Sequence, residues 1–248
     1  MRAALLFLLL LLALPSIVSA QTEADGWAPP DVTQARPTSG APSLRSGRTL
    51  GTGEVLLAAG AGWPGAWAEL VLAPDSALNL GIRLGGLYGS PTFGLTAGAG
   101  AEAQVPIRIH VFGEHDIDVA LTLTPELAVG EGRLFGEQAS ATRAGALGWS
   151  TRADAGAVVG WRATDAVTLL AGASVGAGVS ATDAPMERVR ALGVAYATLG
   201  VEGLLARDTL LFAVLEVGGG LADGSGRALA YYPDPALFRL WVGAAYLP

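Results

Sequence analysis

Phe93 to Phe112 reads FGLTAGAGAEAQVPIRIHVF. Its odd positions are Phe93, Leu95, Ala97, Ala99, Ala101, Ala103, Val105, Ile107, Ile109 and Val111. Its even positions include Thr96, Glu102, Gln104, Arg108 and His110. A helix would bring Glu102 and Arg108 onto the surface that carries the apolar residues. An extended chain sends the two sets to opposite faces, so the period of two predicts a β-strand. Pro106 interrupts this stretch and Pro125 the next one. Each removes a ladder donor and predicts a bulge or an extra turn.

Working outward, the alternation recurs. Ile117 to Val129 sets Ile117, Val119, Leu121, Leu123, Leu127 and Val129 against Asp118, Thr122, Thr124 and Glu126. Trp149 to Ala163, Val167 to Val179, Leu78 to Tyr88, Thr209 to Leu221 and Phe238 to Tyr246 repeat it, with Phe212 breaking the parity. Weaker versions cover Glu54 to Gly62, Ala66 to Ala73 and Leu192 to Leu205. The expected architecture is all-β: an antiparallel up-and-down transmembrane barrel of about ten strands, with eight and twelve as the bracketing counts. Short connections fall at Pro74-Asp75-Ser76, Gly113 to Asp116, Thr164-Asp165-Ala166 and Arg207-Asp208, and long ones at 136–148, 180–191 and 222–236. With a periplasmic N-terminus, those short turns are periplasmic and those long loops extracellular, as outer-membrane barrels arrange them.

The N-terminus predicts export. Arg2 precedes the apolar run Ala3 to Leu14, Pro15 breaks it, and Val18-Ser19-Ala20 offers a cleavage site. We read 1–20 as a signal peptide cleaved near Ala20, 21–47 as a flexible periplasmic lead-in carrying Trp27, and 48–248 as the barrel. The lead-in is rich in Pro, Ser, Thr and Gly and shows no periodicity. There is no cysteine, which excludes disulfides and thiolate chemistry. A formal net charge of -7 gives a nucleic-acid partner no electrostatic support.

The polar face of the ten segments collects Glu54, Glu69, Arg83, Glu102, Arg108, His110, Asp118, Glu126, Arg152, Asp154, Arg162, Glu202, Glu216 and Arg239. All but Glu54, which opens its segment, are expected to line the lumen. The apolar face carries almost no charge and is expected to meet lipid. Trp149 and Trp161 lie on that face, roughly 40 Å apart along a strand. With Phe238 and Tyr246 they are the expected aromatics at the membrane interface. A soluble barrel would turn the same two faces the other way, and alternation by itself does not separate the two. The competing helical reading of Ala166 to Thr182, with Gly172 and Gly176 at GxxxG spacing, conflicts with strand parity and falls short of a span.

Motifs for chemistry are weak. Gly172-Ala173-Ser174-Val175-Gly176 matches G-x-S-x-G, but it sits within an expected strand and both histidines precede it. His110 and His115, beside Glu114 and Asp116, have ligand chemistry without assured convergence. No catalytic residue, metal or cofactor is assigned. The interior charges read most simply as a paired network filling a narrow lumen.

From the signal peptide, the strand parity, Trp149 and Trp161, and the terminal run Phe238 to Pro248, the chain resembles bacterial outer-membrane β-barrels of Gram-negative cell envelopes. That resemblance implies outer-membrane lipid and the barrel-insertion machinery as partners. Members usually end on an aromatic residue, whereas this chain adds Leu247-Pro248 after Tyr246. The class includes omptin proteases and lipid A-modifying enzymes, whose catalytic residues lie toward the outside. His110 and His115 fall at the opposite, periplasmic end. The expected function is therefore a non-enzymatic structural or loop-mediated role in the envelope. The alternatives are a narrow, porin-like small-solute pore lined by Glu102, Arg108, Asp118 and Arg152, an outer-membrane enzyme, and a soluble secreted ligand-binding barrel.

Overall fold

The computed structural model describes residues 43–93, 96–135, 146–183, 189–222, 228–229 and 236–248. The expected signal peptide, Trp27, Leu95 and the middles of the long loops lie outside the described residues.

The elements are β1 (Val55–Trp63), β2 (Gly65–Asp75), β3 (Leu78–Gly89), β4 (Ala97–Gln104), β5 (Ile107–Glu114), β6 (Ile117–Glu131), a 3-10 turn (Gly132–Phe135), β7 (Leu147–Thr164), β8 (Val167–Thr182), β9 (Arg190–Ala206), β10 (Thr209–Ala222), β11 (Ala228–Leu229) and β12 (Ala236–Tyr246). Each long strand pairs antiparallel with its neighbours, and β1 pairs with β12 from Leu57↔Tyr246 to Trp63↔Leu240, which closes the sheet. The two-residue β11 only extends the ladder of β10. β4 and β5 make one stave, so the wall has ten.

The long alternating stretch that predicted one strand is broken at Val105-Pro106 without a change of register. β3 pairs Arg83↔Gln104 and Leu80↔Ile107, and β6 pairs Gln104↔Glu126 and Ile107↔Leu123. Pro106 cannot donate, yet its carbonyl accepts from the Gly81 amide at 2.7 Å. Pro125 likewise only accepts, from the Val105 amide at 3.0 Å. Each proline thus costs one ladder bond and neither makes a bulge or an extra turn. The bulge in this stave lies between His110 and Phe112. It turns both Val111 and the even-numbered Phe112 outward.

The connections on one end are tight, with turns at 76–77, 115–116, 165–166 and 207–208. His115 occupies one of them at φ 53°, fully in solvent, away from any ligand geometry. The segment from Val167 is strand β8 throughout, so neither a helical span nor a nucleophile elbow forms there.

The faces settle the orientation of the wall. Outward-facing Leu84 is 62% exposed and Leu199 57%, while inward-facing Arg152 is 1% exposed and Glu202 2%. Apolar residues such as Ile82, Leu121, Leu127, Val175 and Val242 continue this outer surface around the barrel. Water does not tolerate an apolar belt of that extent, whereas a bilayer requires it. A soluble barrel would be the reverse, and that alternative is overturned. Closure also satisfies the backbone groups that an open edge would leave unpaired in lipid.

The interior is filled from both ends. Leu44, Leu50, Leu56, Trp67, Phe212 and Trp241 belong to one apolar cluster. Leu134 and Phe135 of the 3-10 turn fold inward against Leu192, Val194, Tyr196 and Leu237 at the long-loop end. Phe212 broke the apolar parity of its strand because it points inward. Its ring stacks on Trp67 at 5.6 Å, and Trp241 meets Trp67 edge-on at 6.3 Å.

Leu123 lies mid-wall and Ile117 beside a tight turn. Leu123→Arg is expected to cost about 2 to 4 kcal/mol of folding stability in lipid vesicles, and Ile117→Arg about 1 kcal/mol or less. Urea-driven unfolding of both variants measures the difference.

Candidate functional site in the barrel interior

Strand register builds the centre of the site. Glu69 on β2 lies opposite Arg83 on β3, Arg83 opposite Gln104 on β4, Gln104 opposite Glu126 on β6, and Glu126 opposite Arg152 on β7. The side chains bond along this row. Arg83 donates to Glu69 from Nε at 2.8 Å and Nη2 at 2.5 Å, and to Gln104 at 2.9 Å. Gln104 donates to Glu126 at 3.1 Å, and Arg152 donates to the same Glu126 oxygen at 2.7 Å. Five staves therefore share one transverse polar belt, in which each charge faces an opposite charge or an amide.

Glu126 is the hub of the belt. Its Oε2 also lies 3.8 Å from Arg239, which reaches across the lumen and pairs with the directly opposed Glu216 at 3.6 Å. Arg152 Nε lies 2.8 Å from Asp154. Room for that carboxylate depends on Gly176, where a Cβ would come within 1.9 Å of Asp154 Oδ1. Arg239 and Arg152 also lie over the Tyr196 ring, at 4.9 and 5.9 Å. Glu102 faces the same space and makes no ion pair among the described residues.

A second group closes the end with the tight turns. Residues 43–47, expected to finish a flexible lead-in, instead lie in the barrel mouth with 48–50. Glu202 accepts from Ser43 Oγ at 2.5 Å, the Leu44 amide at 3.1 Å and the Arg45 amide at 2.6 Å. Arg108 donates to the carbonyls of Ser46 at 2.9 Å and Ser43 at 3.1 Å. His110 Nδ1 lies 2.9 Å from the Gly47 carbonyl, Arg48 pairs with Asp118 at 3.3 Å, and Asn79 accepts from the Leu50 amide at 3.1 Å. Thr49 bonds the Ser76 carbonyl. Gly47 passes so close to the Asp118 backbone that a Cβ would come within 2.2 Å of it, so only glycine fits.

Ser43–Leu50 is thus a strap across the mouth, ordered because lumen side chains satisfy its backbone. Its Arg45 reaches inward and lies 5.0 Å from the centre of the Trp67 ring, whose other close cation is Arg83 at 4.4 Å. Burial, and secondarily the Arg83 charge, lower the Arg45 guanidinium to about 10, so it stays protonated at neutral pH.

Of the thirteen residues assigned to the lumen, twelve gather inside in two groups rather than one lining, and Arg162 stands apart. Glu69, Arg83, Glu102, Glu126, Arg152, Asp154, Glu216 and Arg239 gather around the belt. Arg108, His110, Asp118 and Glu202 hold the strap. Arg162 is half-buried near the tight-turn end, and its Nη2 has no hydrogen-bond partner among the described residues. Glu54 instead stands exposed at the rim, bonded to the Gly51 amide at 2.5 Å. The residues that sequence reasoning missed are Gln104, Tyr196, Trp67 and the strap's Arg45 and Arg48. A usable signal was the aromatic set on the polar face, since Phe212 and Trp241 have no reason to meet water there.

Trp161 pairs with Ile117 beside a tight turn, and Trp149 with Val129 at the other end. Tyr246 sits opposite Thr209 at the tight-turn end, and Phe238 opposite Val217 toward the loops, 5.2 Å from the Phe93 ring. Among the described residues, no group of three or more histidines and carboxylates could hold a metal ion. A cavity of about 170 Å³ remains inside. Its lining runs from Leu44, Arg45 and Arg108 at the strap to Pro64, Gly89 and Pro91 at the long-loop rim.

Removing the hub exposes its worth. Glu126→Ala leaves Arg152 buried without that partner and is expected to destabilise the barrel by about 3 to 5 kcal/mol. Glu216→Ala breaks a longer, wetter pair and should cost about 1 kcal/mol or less. Unfolding curves in urea and the temperature at which unboiled protein loses its compact electrophoretic band would report both.

No known protein family matches the chain, and no curated protein matches it in sequence. Among solved structures it is similar to Ail, the attachment invasion locus protein of Yersinia pestis, at 13% identity and TM-score 0.40, over 79% of this chain and 98% of that one. It is also similar to OmpT, an outer membrane protein of Vibrio cholerae, at 16% identity and TM-score 0.30, over 79% of this chain and 61% of that one. These are likenesses between barrels and assign no activity. By its own architecture, closed, ten-staved, apolar outside and charged within, the chain is an outer-membrane-type β-barrel protein.

Proposed function

We propose that the chain resides in the bacterial outer membrane as a closed, non-enzymatic barrel with a structural or loop-mediated role in the cell envelope. The observation that carries this reading is the occupied lumen. A belt of mutually bonded charges crosses its middle, and the strap covers one mouth. An arginine and a glutamate committed to each other are poor hosts for a passing solute, since each would have to exchange a buried partner for it. The same pairing argues against acid–base chemistry, which needs a group free to take or give a proton. Ser174 lies within a strand and His110 is held by a backbone carbonyl, so neither has the partners of an activated nucleophile or base.

In this reading, residues 1–20 direct export and are removed near Ala20, and the tight turns face the periplasm. The outer wall meets lipid between the levels of Trp149 and Phe238 on one side and Trp161 and Tyr246 on the other. The terminal strand presents Phe238, Leu240, Val242, Ala244 and Tyr246 to the insertion machinery. The long loops supply whatever contacts the barrel makes outside the cell.

Full-length protein purified from the outer-membrane fraction is expected to have the mass of a chain beginning at Gln21. In planar bilayers it should leave the baseline current unchanged. A stable open channel from the intact protein would overturn the closed-barrel reading, and a mass retaining residues 1–20 would overturn the cleavage.

A further inference from the structure

We infer that the Ser43–Leu50 strap is the stopper of a latent path for small cations through the barrel. The inference rests on the closed-barrel reading above and adds what does the closing, and what would pass if the strap were lifted.

The first support is continuity. The internal cavity touches Leu44 and Arg45 of the strap at one end and Pro64, Gly89 and Pro91 of the opposite rim at the other. Leu134 and Phe135, packed against Leu192, Val194 and Leu237, line it near that rim. On the tight-turn side, the described chain that stands in its way is the strap.

The second support is how the strap is attached. None of its residues belongs to a strand. It is held by the Glu202 carboxylate, the Arg108 guanidinium, the Arg48–Asp118 pair and the Asn79 amide, and by Leu44 and Leu50 in the apolar cluster. Barrel closure does not use it, because the β1–β12 ladder begins at Leu57. The strap can therefore leave without unpairing a stave, whereas any other opening of this wall breaks a ladder.

The third support is charge. The wall contributes Glu69, Glu102, Glu126, Asp154 and Glu216 to the cavity lining, against Arg83, Arg108 and Arg239, and Arg152 stands behind them bonded to Glu126 and Asp154, so the carboxylates lead by one. Arg45 is the additional cation, and it comes from the strap. Lifting the strap removes that positive charge from the path and uncovers Glu202 at the mouth. A narrow passage lined by surplus carboxylates favours cations over anions.

The test uses a mature chain lacking residues 21–50, beginning at Gly51, beside the full-length protein in planar bilayers with potassium chloride. Folding is checked by the band shift between boiled and unboiled samples. The folded deletion variant is expected to conduct about tenfold or more above the full-length baseline, with potassium preferred over chloride. A folded but silent variant overturns the stopper, and leaves the closed-barrel reading standing. Conduction by the full-length protein overturns that reading instead. Chloride preference overturns the cation path. If the deletion does not fold, the full-length Glu202→Ala, Arg108→Ala variant, which lacks the strap's main anchors but also the Glu202 carboxylate, decides the stopper by conduction alone: a folded, silent variant overturns it.

Ser46→Cys with Gly160→Cys supplies the reverse control in that background. The chain has no other cysteine, and a Cβ at 160 would lie 2.5 Å from Ser46 Cβ, near enough to bridge after a shift of about 1 Å. The oxidised protein should be silent and the reduced one conducting. Equal currents in both states overturn the strap's role.

Discussion

Along the lipid-facing span of this wall, every charge has one permitted side. Lipid on the outer face cannot solvate a carboxylate or a guanidinium, so, while strand-end groups such as Asp75 and Glu114 stand in water, the period of two sends the mid-wall charges into one narrow interior. Confined there, they must neutralise one another, because desolvation of an ion is repaid only by close, well-directed partners. The belt from Glu69 through Arg83, Gln104 and Glu126 to Arg152 meets that demand by using the register itself. Directly opposed positions on successive staves carry complementary groups, so the hydrogen-bonding of the backbone and that of the side chains enforce the same alignment. A slip of one residue in any of these pairings would set a charge against lipid and break the belt together.

The same constraint explains why the interior is divided. On β1, β2, β10 and β12, much of the inner face is apolar and aromatic, with Leu56, Trp67, Phe212 and Trp241 in one cluster. Charges crowd the other side, with Glu69 and Arg239 standing at the boundary. Arg45 and Arg83 join the halves by lying on the Trp67 ring, where a cation keeps favourable electrostatics against an apolar surface. The lumen is thus packed much as a soluble core is packed, with an ionic sector stitched to an aromatic one. What space is left touches both sectors and reaches the strap.

The strap differs in kind from the rest. The staves are held by backbone ladders, which vary little with sequence. Ser43–Leu50 is held by particular side chains at particular depths, with Glu202 alone accepting three of its hydrogen bonds. A segment ordered in that way is far more sensitive to substitution than any strand, and its release changes what the lumen exposes. Closure of the mouth is accordingly separable from formation of the barrel.

Much of this was legible in the sequence. Alternation needs only local chemistry, so Glu102, Arg108, Leu121 and Leu123 already declared their faces, and tight turns such as Arg207-Asp208 marked where staves end. Prolines 106 and 125 were legible as missing donors. That they leave the register intact depended on neighbours that accept the loss. Which face is outside, that Phe212 and Trp241 have a partner in Trp67, and that the polar run after residue 42 enters the barrel were decided only in three dimensions. The physical reason is the range of the interactions. The alternation of side chains is set within a few residues, whereas Glu202 meets Ser43 across a separation of 159 positions. That contact exists only once the barrel has closed and brought the two together.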